Sequence, residues 1–188
     1  EAVNSVVFQA IRENDNEPVD GWVNDFIRVK DNQLWLGSNS RNEIYVSKNT
    51  DFKDFAFTAT RLPGEGALLV LDGVGRGFVF LGRDIFIGAG RDDWYQTNFE
   101  QLEVNSVLVE TLKVKKLKTS PGLAPQSQDL IEGEFFVGFD KILHEIVGVD
   151  AEGNLLTRDL SDPIKPDFDA ATFTNGHLKK HRNRIYIA

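Results

Sequence analysis

Apolar and polar positions along this chain alternate in short runs and never settle into a helical period. No long stretch places apolar residues at i, i+3, i+4 and i+7 between recognisable caps. Runs rich in Val, Ile, Phe, Tyr and Trp are instead cut by clusters of Gly, Asn and Asp, as expected where each segment pairs with a neighbour and turns back. The pattern predicts strands at Ser5 to Ile11, Trp22 to Val29, Gln33 to Gly37, Glu43 to Lys48, Ala67 to Leu71, Gly77 to Gly82, Asp84 to Gly88, Ser106 to Val114, Glu134 to Gly138, Lys141 to Val149, Leu155 to Arg158 and Arg184 to Ala188. The fold class is therefore all-β.

Within that pattern lies a weak internal repeat. An apolar triplet followed by a small residue recurs as Leu34-Trp35-Leu36-Gly37, Val79-Phe80-Leu81-Gly82, Phe135-Phe136-Val137-Gly138 and Ile185-Tyr186-Ile187-Ala188, the small residues lying 45, 56 and 50 positions apart. After the first three, a polar turn leads into a strand opening on Ile, at Glu43-Ile44-Tyr45-Val46, Asp84-Ile85-Phe86-Ile87 and Lys141-Ile142-Leu143-His144. Each unit reads as a hairpin. Three consecutive apolar residues on a strand imply cover on both faces, because successive side chains point opposite ways. Stacked sheets recurring at this period fit a partial β-propeller of three to four antiparallel blades, near residues 1–60, 61–104, 105–160 and an incomplete 161–188. A β-sandwich is the alternative; the period favours the propeller.

Composition narrows the chemistry. The 188 residues hold 14 Phe, three Trp and three Tyr but no Cys and no Met, which removes disulfides, thiolate metal sites and cysteine nucleophiles. With 21 basic and 29 acidic residues the formal charge is −8, unfavourable for general binding to nucleic acid or anionic membranes. No apolar run reaches the roughly 18 residues of a membrane span, and the first residues lack the features of a signal peptide. A first residue of Glu and a fourth repeat ending at Ala188 lead to the expectation that this is one domain cut from a longer polypeptide.

No candidate for chemistry outweighs a structural explanation. Gly73-Val74-Gly75-Arg76-Gly77 lacks the Gly-Lys-Ser/Thr ending of a phosphate loop and runs into a strand, so a hairpin turn is expected there. His177 and His181 would share a metal only on a helix, and Asn175-Gly176 signals a turn. Alternation sends His144 and Glu145 to opposite faces. Carboxylates such as Asp51, Asp54, Asp92, Asp93, Asp159, Asp162, Asp167 and Asp169 read as turn and surface residues. Ser47-Lys48-Asn49-Thr50-Asp51-Phe52 fails the aspartate box of sialidase-type propellers, with Asn49 and Asp51 where that motif has Asp and Gly. Lys113 and Lys115 share one strand face and Lys116 and Lys118 the other, as on a solvated edge strand. Pro121-Gly122-Leu123-Ala124-Pro125-Gln126-Ser127 reads as a loop. Trp22, Trp94 and Tyr95 are candidate surface aromatics, but for Trp22, Trp35 and Trp94 packing in the core or a blade interface is the favoured explanation, because buried aromatics dominate such interfaces. No cofactor, metal or catalytic set is expected.

The order Arg41 to Lys48, Asp51-Phe52-Lys53-Asp54-Phe55, Ala67 to Leu71 and Gly77 to Ile87, followed by Ser120 to Ser127 and Glu132 to Gly138, resembles β-propeller proteins of tailed bacteriophages. That family includes tail tubular or nozzle proteins and head-to-tail stabilising proteins of short-tailed phages, and the resemblance spans about residues 26 to 160. It implies a non-catalytic structural part of a phage tail or head-tail connector, working through interfaces with other virion proteins and as a homo-oligomer. DNA would pass without specific contacts, and the location would be the virion, or the host cytoplasm if prophage-encoded. Two alternatives stay open. One is a carbohydrate-binding or glycosidase-like propeller in which Trp22, Trp94 and Tyr95 stack on sugars; the other is a bacterial protein-interaction propeller.

Overall fold

A computed structural model describes residues 26–30, 33–37, 42–48, 60–82, 84–161, 176–182 and 184–188. They form fifteen strands: β1 Phe26–Lys30, β2 Gln33–Gly37, β3 Glu43–Val46, β4 Thr60–Arg61, β5 Ala67–Val70, β6 Gly75–Leu81, β7 Asp84–Ala89, β8 Asp93–Val104, β9 Val107–Lys116, β10 Ile131–Glu132, β11 Phe135–Val137, β12 Leu143–Val149, β13 Leu155–Asp159, β14 Leu178–His181 and β15 Arg184–Ile187. One 3-10 turn, Gln128–Leu130, precedes β10, and no α-helix occurs among the described residues. The strand expected at Ser5 to Ile11, and Trp22, lie outside these residues.

All strand pairs within the sheets are antiparallel, and apart from the short β4 the sheets follow one another along the chain. The first has the order β1-β2-β3-β5, the second β4-β9-β8-β7-β6, the third β10-β11-β12-β13, and the fourth is the hairpin β14-β15. No sheet closes on itself among the described residues. The three repeated hairpins are present as β2–β3, β6–β7 and β11–β12, each in its own sheet.

Burial explains why the triplets are apolar throughout. Trp35, Ile44, Val46, Ala67 and Leu69 of the first sheet share a core with Phe78, Ile85, Ile87, Ala89, Tyr95 and Leu112 of the second. The opposite face of the second sheet, with Val79, Phe86 and Trp94, packs on Ile131, Phe136, Ile146 and Leu155 of the third. Phe135, Val137 and Leu143 then turn from the third sheet towards Leu178, Ile185 and Ile187 of the fourth. The second and third sheets are thus covered on both faces, and a strand between two apolar layers needs apolar residues at every position.

Some sequence expectations need correction. The divisions at 60/61 and 104/105 do not separate sheets. The first falls inside β4, which belongs to the second sheet although β5 of the first sheet follows it. The second falls at the turn Asn105-Ser106, where both residues take positive φ and close the β8–β9 hairpin within one sheet. A two-residue hairpin loop of the I′ kind requires that conformation at both positions. Gly73 to Gly77 is no hairpin turn either. It carries the chain from β5 to β6, between sheets, and includes a register shift from Gly75 to Gly77. A Cβ on Gly77 would stand 2.4 Å from Ile131 Cδ1 and 2.7 Å from Gln128 Oε1. Glycine here lets the third sheet approach the second, and it accepts the positive φ of this position without strain.

Candidate functional site

Trp94 and Tyr95 are adjacent on β8 and therefore point into different layers. Trp94 is 0% exposed. Its indole N–H donates to the Leu123 carbonyl at 3.1 Å, and its ring meets Phe136 edge-on at 4.9 Å. Tyr95 is 4% exposed and faces the first sheet, and burial pushes its hydroxyl above the usual tyrosine range. The alternative in which Trp94 and Tyr95 form an exposed sugar-stacking surface is corrected by the structure, because both faces of their sheet are occupied by neighbouring sheets. Opposite Trp94 stands Gly88, where a Cβ would lie 2.3 Å from Pro125 Cδ. The loop from Pro121 to Ser127 is consequently seated on the second sheet, held further by Ala124 N–H to Arg91 O and Gly122 N–H to the Asp92 carboxylate.

Asp140 and His144 form an acid–imidazole pair that sequence spacing did not single out. Asp140 lies in the turn between β11 and β12, with Oδ2 at 2.8 Å from His144 Nε2 and Oδ1 accepting from Ile142 N–H at 3.1 Å. His144 stacks on Phe136 at 5.1 Å, and its side chain is nearly buried. Gly138, the small residue of the third repeat, leaves room for this carboxylate: a Cβ there would stand 2.5 Å from Asp140 Oδ1. Glu145 turns away and pairs with Arg158. Ser161 accepts from Leu143 N–H at 2.8 Å through its hydroxyl, and its own N–H donates to Asp159. These bonds pin a turn and the end of a strand, which gives the pair a clear structural task.

A second polar cluster joins the first and second sheets. Arg61, 6% exposed, pairs with Glu110 at 3.0 Å, donates to the Glu65 carbonyl, and lays its guanidinium over Phe99 with Cζ 3.6 Å from the ring centroid. Gln33 completes the joint, donating to the carbonyls of Ser47 at 3.0 Å and Glu65 at 3.2 Å. Burial lowers the Arg61 pKa from its ordinary value, against the opposing pull of Glu110. Ser47, in the failed aspartate box, is fully buried and accepts from Leu34 N–H at 2.8 Å.

The remaining candidates disperse. His177 precedes the extended strand β14 and His181 ends it, and an extended strand separates positions four apart by about 13 Å. His177 instead lies 3.7 Å from Asp129. Lys113 pairs with Glu100 at 3.3 Å, and Lys116 with Asp93 at 2.9 Å. Lys113 and Lys115 line a shallow groove with Gln96, Asn98 and Val114. Among the described residues no group of three or more His, Cys, Asp or Glu side chains is placed to hold a metal ion, and no helix is long and apolar enough to cross a membrane. No protein-family model, curated protein or solved structure matches this chain.

Proposed function

We propose that this chain is a segment of a β-propeller serving as a non-catalytic structural module of a phage tail or head-tail connector, acting through protein interfaces in the virion. The observation that carries the reading is the succession of antiparallel sheets stacked face to face in chain order, with the second and third covered on both sides. In a propeller each sheet plays the part of a blade and packs on the blades beside it. The polar groups point the same way. Asp140, His144, Arg61 and Gln33 are engaged in holding turns and sheets together, not gathered in an open cleft. The sequence resemblance to phage propellers adds the virion context, and a chain of charge −8 around a DNA path would hold few phosphates.

The test is the full open reading frame together with its genomic neighbours, followed by antibody labelling of purified particles. Neighbouring portal or terminase genes and label on the tail or connector are expected. A reading frame isolated among metabolic genes, with no label on particles, would overturn the reading.

A further inference from the structure

The glycine cluster before β6 has a counterpart at the end of β7. Gly73-Val74-Gly75-Arg76 and Gly88-Ala89-Gly90-Arg91 are two copies of one Gly-X-Gly-Arg sequence. The copies pair with each other: Gly75 stands opposite Ala89, Gly77 opposite Gly88, and the Gly90 N–H donates to Val74 O at 2.7 Å. Glycine permits this approach, since a Cβ on Gly73 would lie 3.3 Å from Gly90 N and Gly90 itself takes φ +58°.

Both arginines are thereby delivered to one end of the second sheet, where Phe139 of the turn between β11 and β12 meets them. Arg76 Cζ lies 5.3 Å and Arg91 Cζ 5.9 Å from the Phe139 ring centroid. Backbone bonds fix the frame beneath the side chains, with Ala124 N–H donating to Arg91 O at 3.2 Å and Phe139 N–H to Ala124 O at 3.0 Å. The Arg76 Nε–H donates to Gly90 O at 3.0 Å, which orients the guanidinium and leaves its Nη groups without a partner among the described residues.

Charge sets this pair apart from the buried Arg61. The acids close in sequence are committed elsewhere: Asp92 accepts from Gly122 N–H at 2.6 Å, Asp93 pairs with Lys116 at 2.9 Å, and Asp140 holds His144 and the Ile142 N–H. Neither Arg76 nor Arg91 has a carboxylate partner among the described residues, in a chain with 29 acidic residues against 21 basic ones. The Phe139 ring attracts each cation without neutralising either.

We propose that Arg76 and Arg91, positioned by the paired Gly-X-Gly-Arg segments and by Phe139, form a binding site for a phosphate monoester. Two uncompensated guanidinium charges match a dianion, and a phosphate monoester carries a charge of about −1.5 to −2 at pH 7. The planar guanidinium fork donates to phosphate oxygens in pairs. Side chains at the end of a sheet make this site, not the backbone N–H groups of a phosphate loop at a helix N-terminus. It goes beyond the virion role and does not depend on it, so either can fail while the other stands.

The probe is methyl phosphate, titrated into the 15N-labelled chain at constant ionic strength while the arginine Nε–H signals are followed. Saturable shifts at Arg76 and Arg91 are expected, with a Kd of about 1–10 mM. Dimethyl phosphate, a monoanion, should bind at least about fivefold more weakly. Arg91→Gln, at an exposed position, should weaken methyl phosphate binding by at least about tenfold with the melting temperature unchanged, and Arg76→Lys, which keeps the charge but loses the fork, by at least about threefold. Arg158→Gln removes an exposed arginine that has Glu145 as its partner and should leave binding unchanged. A Gly-phosphoserine-Gly peptide that binds at least about fivefold more tightly than methyl phosphate would assign the phosphate to a protein side chain, and equal binding would assign it to a small molecule; both uphold the site. Shifts that never saturate, equal affinity for dimethyl phosphate, or unaltered binding in Arg91→Gln would each overturn the proposal.

Discussion

Replacing Trp94 by alanine removes the largest side chain at the contact between the second and third sheets. The indole is 0% exposed, touches Phe136 edge-on at 4.9 Å and donates one hydrogen bond to Leu123 O at 3.1 Å. Truncating a buried large aromatic costs about 3–5 kcal/mol, because the surrounding sheets collapse only partly into the cavity. The lost hydrogen bond, worth about 1 kcal/mol, falls within that range. Against a total stability of about 5–15 kcal/mol, the variant keeps a reduced margin. For a chain of this size each kcal/mol moves the midpoint by about 2–4 °C, so a drop of roughly 6–20 °C is expected. Trp94→Phe keeps most of the apolar body but leaves the Leu123 carbonyl without its donor, and should lose about 1–3 kcal/mol. Urea unfolding followed by far-ultraviolet circular dichroism measures both values. A cost below about 1 kcal/mol for Trp94→Ala, the size of a surface substitution, would refute the placement of this ring between sheets.

Three further outcomes follow from the packing. At Gly88 a new methyl group would meet Pro125 at 2.3 Å, so the loop must move away. Gly88→Ala should therefore destabilise by about 1–3 kcal/mol, which thermal melts check. Arg61→Ala strands Glu110 in a largely buried position and should cost about 3–5 kcal/mol, whereas the pair Arg61→Met with Glu110→Leu should cost much less, a contrast that a double-mutant cycle reads directly. Glu134 is held below the ordinary glutamate range chiefly by its hydrogen bond from Lys180. A depressed folded-state pKa means the contribution is complete above the ordinary glutamate value and disappears as pH falls through the lower folded value. Glu134→Gln should therefore flatten the fall in melting temperature below about pH 4.5, measured against the parent chain across that window.

Hairpins are legible in this sequence and the stacking details are not, for physical reasons visible at single residues. β2 has the bounds its pattern predicts, because Gln33-Leu34-Trp35-Leu36-Gly37 joins apolar strand formers to a closing glycine. β8 carries no such pattern. From Asn98 to Val104 the strand runs largely in solvent, where Glu100, Gln101 and Glu103 satisfy themselves in water and no apolar period is written. Trp94 and Tyr95 carry nothing in sequence that distinguishes an exposed pair from one divided between two cores; only the stacking of the first and third sheets on the two faces of the second decides it. The triplets are alike in composition yet differ in facing. The central Trp35 looks from the first sheet to the second, Phe136 from the third back to the second, and Tyr186 outward at 49% exposure. Arg61 offers no signal at all, since Glu65, Gln33, Glu110 and Phe99 converge on it only through tertiary pairing.

The stacked arrangement of the sheets is tested most directly by nuclear Overhauser contacts at the two tryptophans within the described residues. Cross-peaks should join Trp94 to Phe136, across the second and third sheets, and Trp35 to Phe78, across the first and second, where the ring centroids lie 4.9 and 6.1 Å apart. The Trp94 indole N–H should also exchange slowly. Rapid exchange at that proton, with neither inter-sheet cross-peak present in a folded sample, would contradict the arrangement.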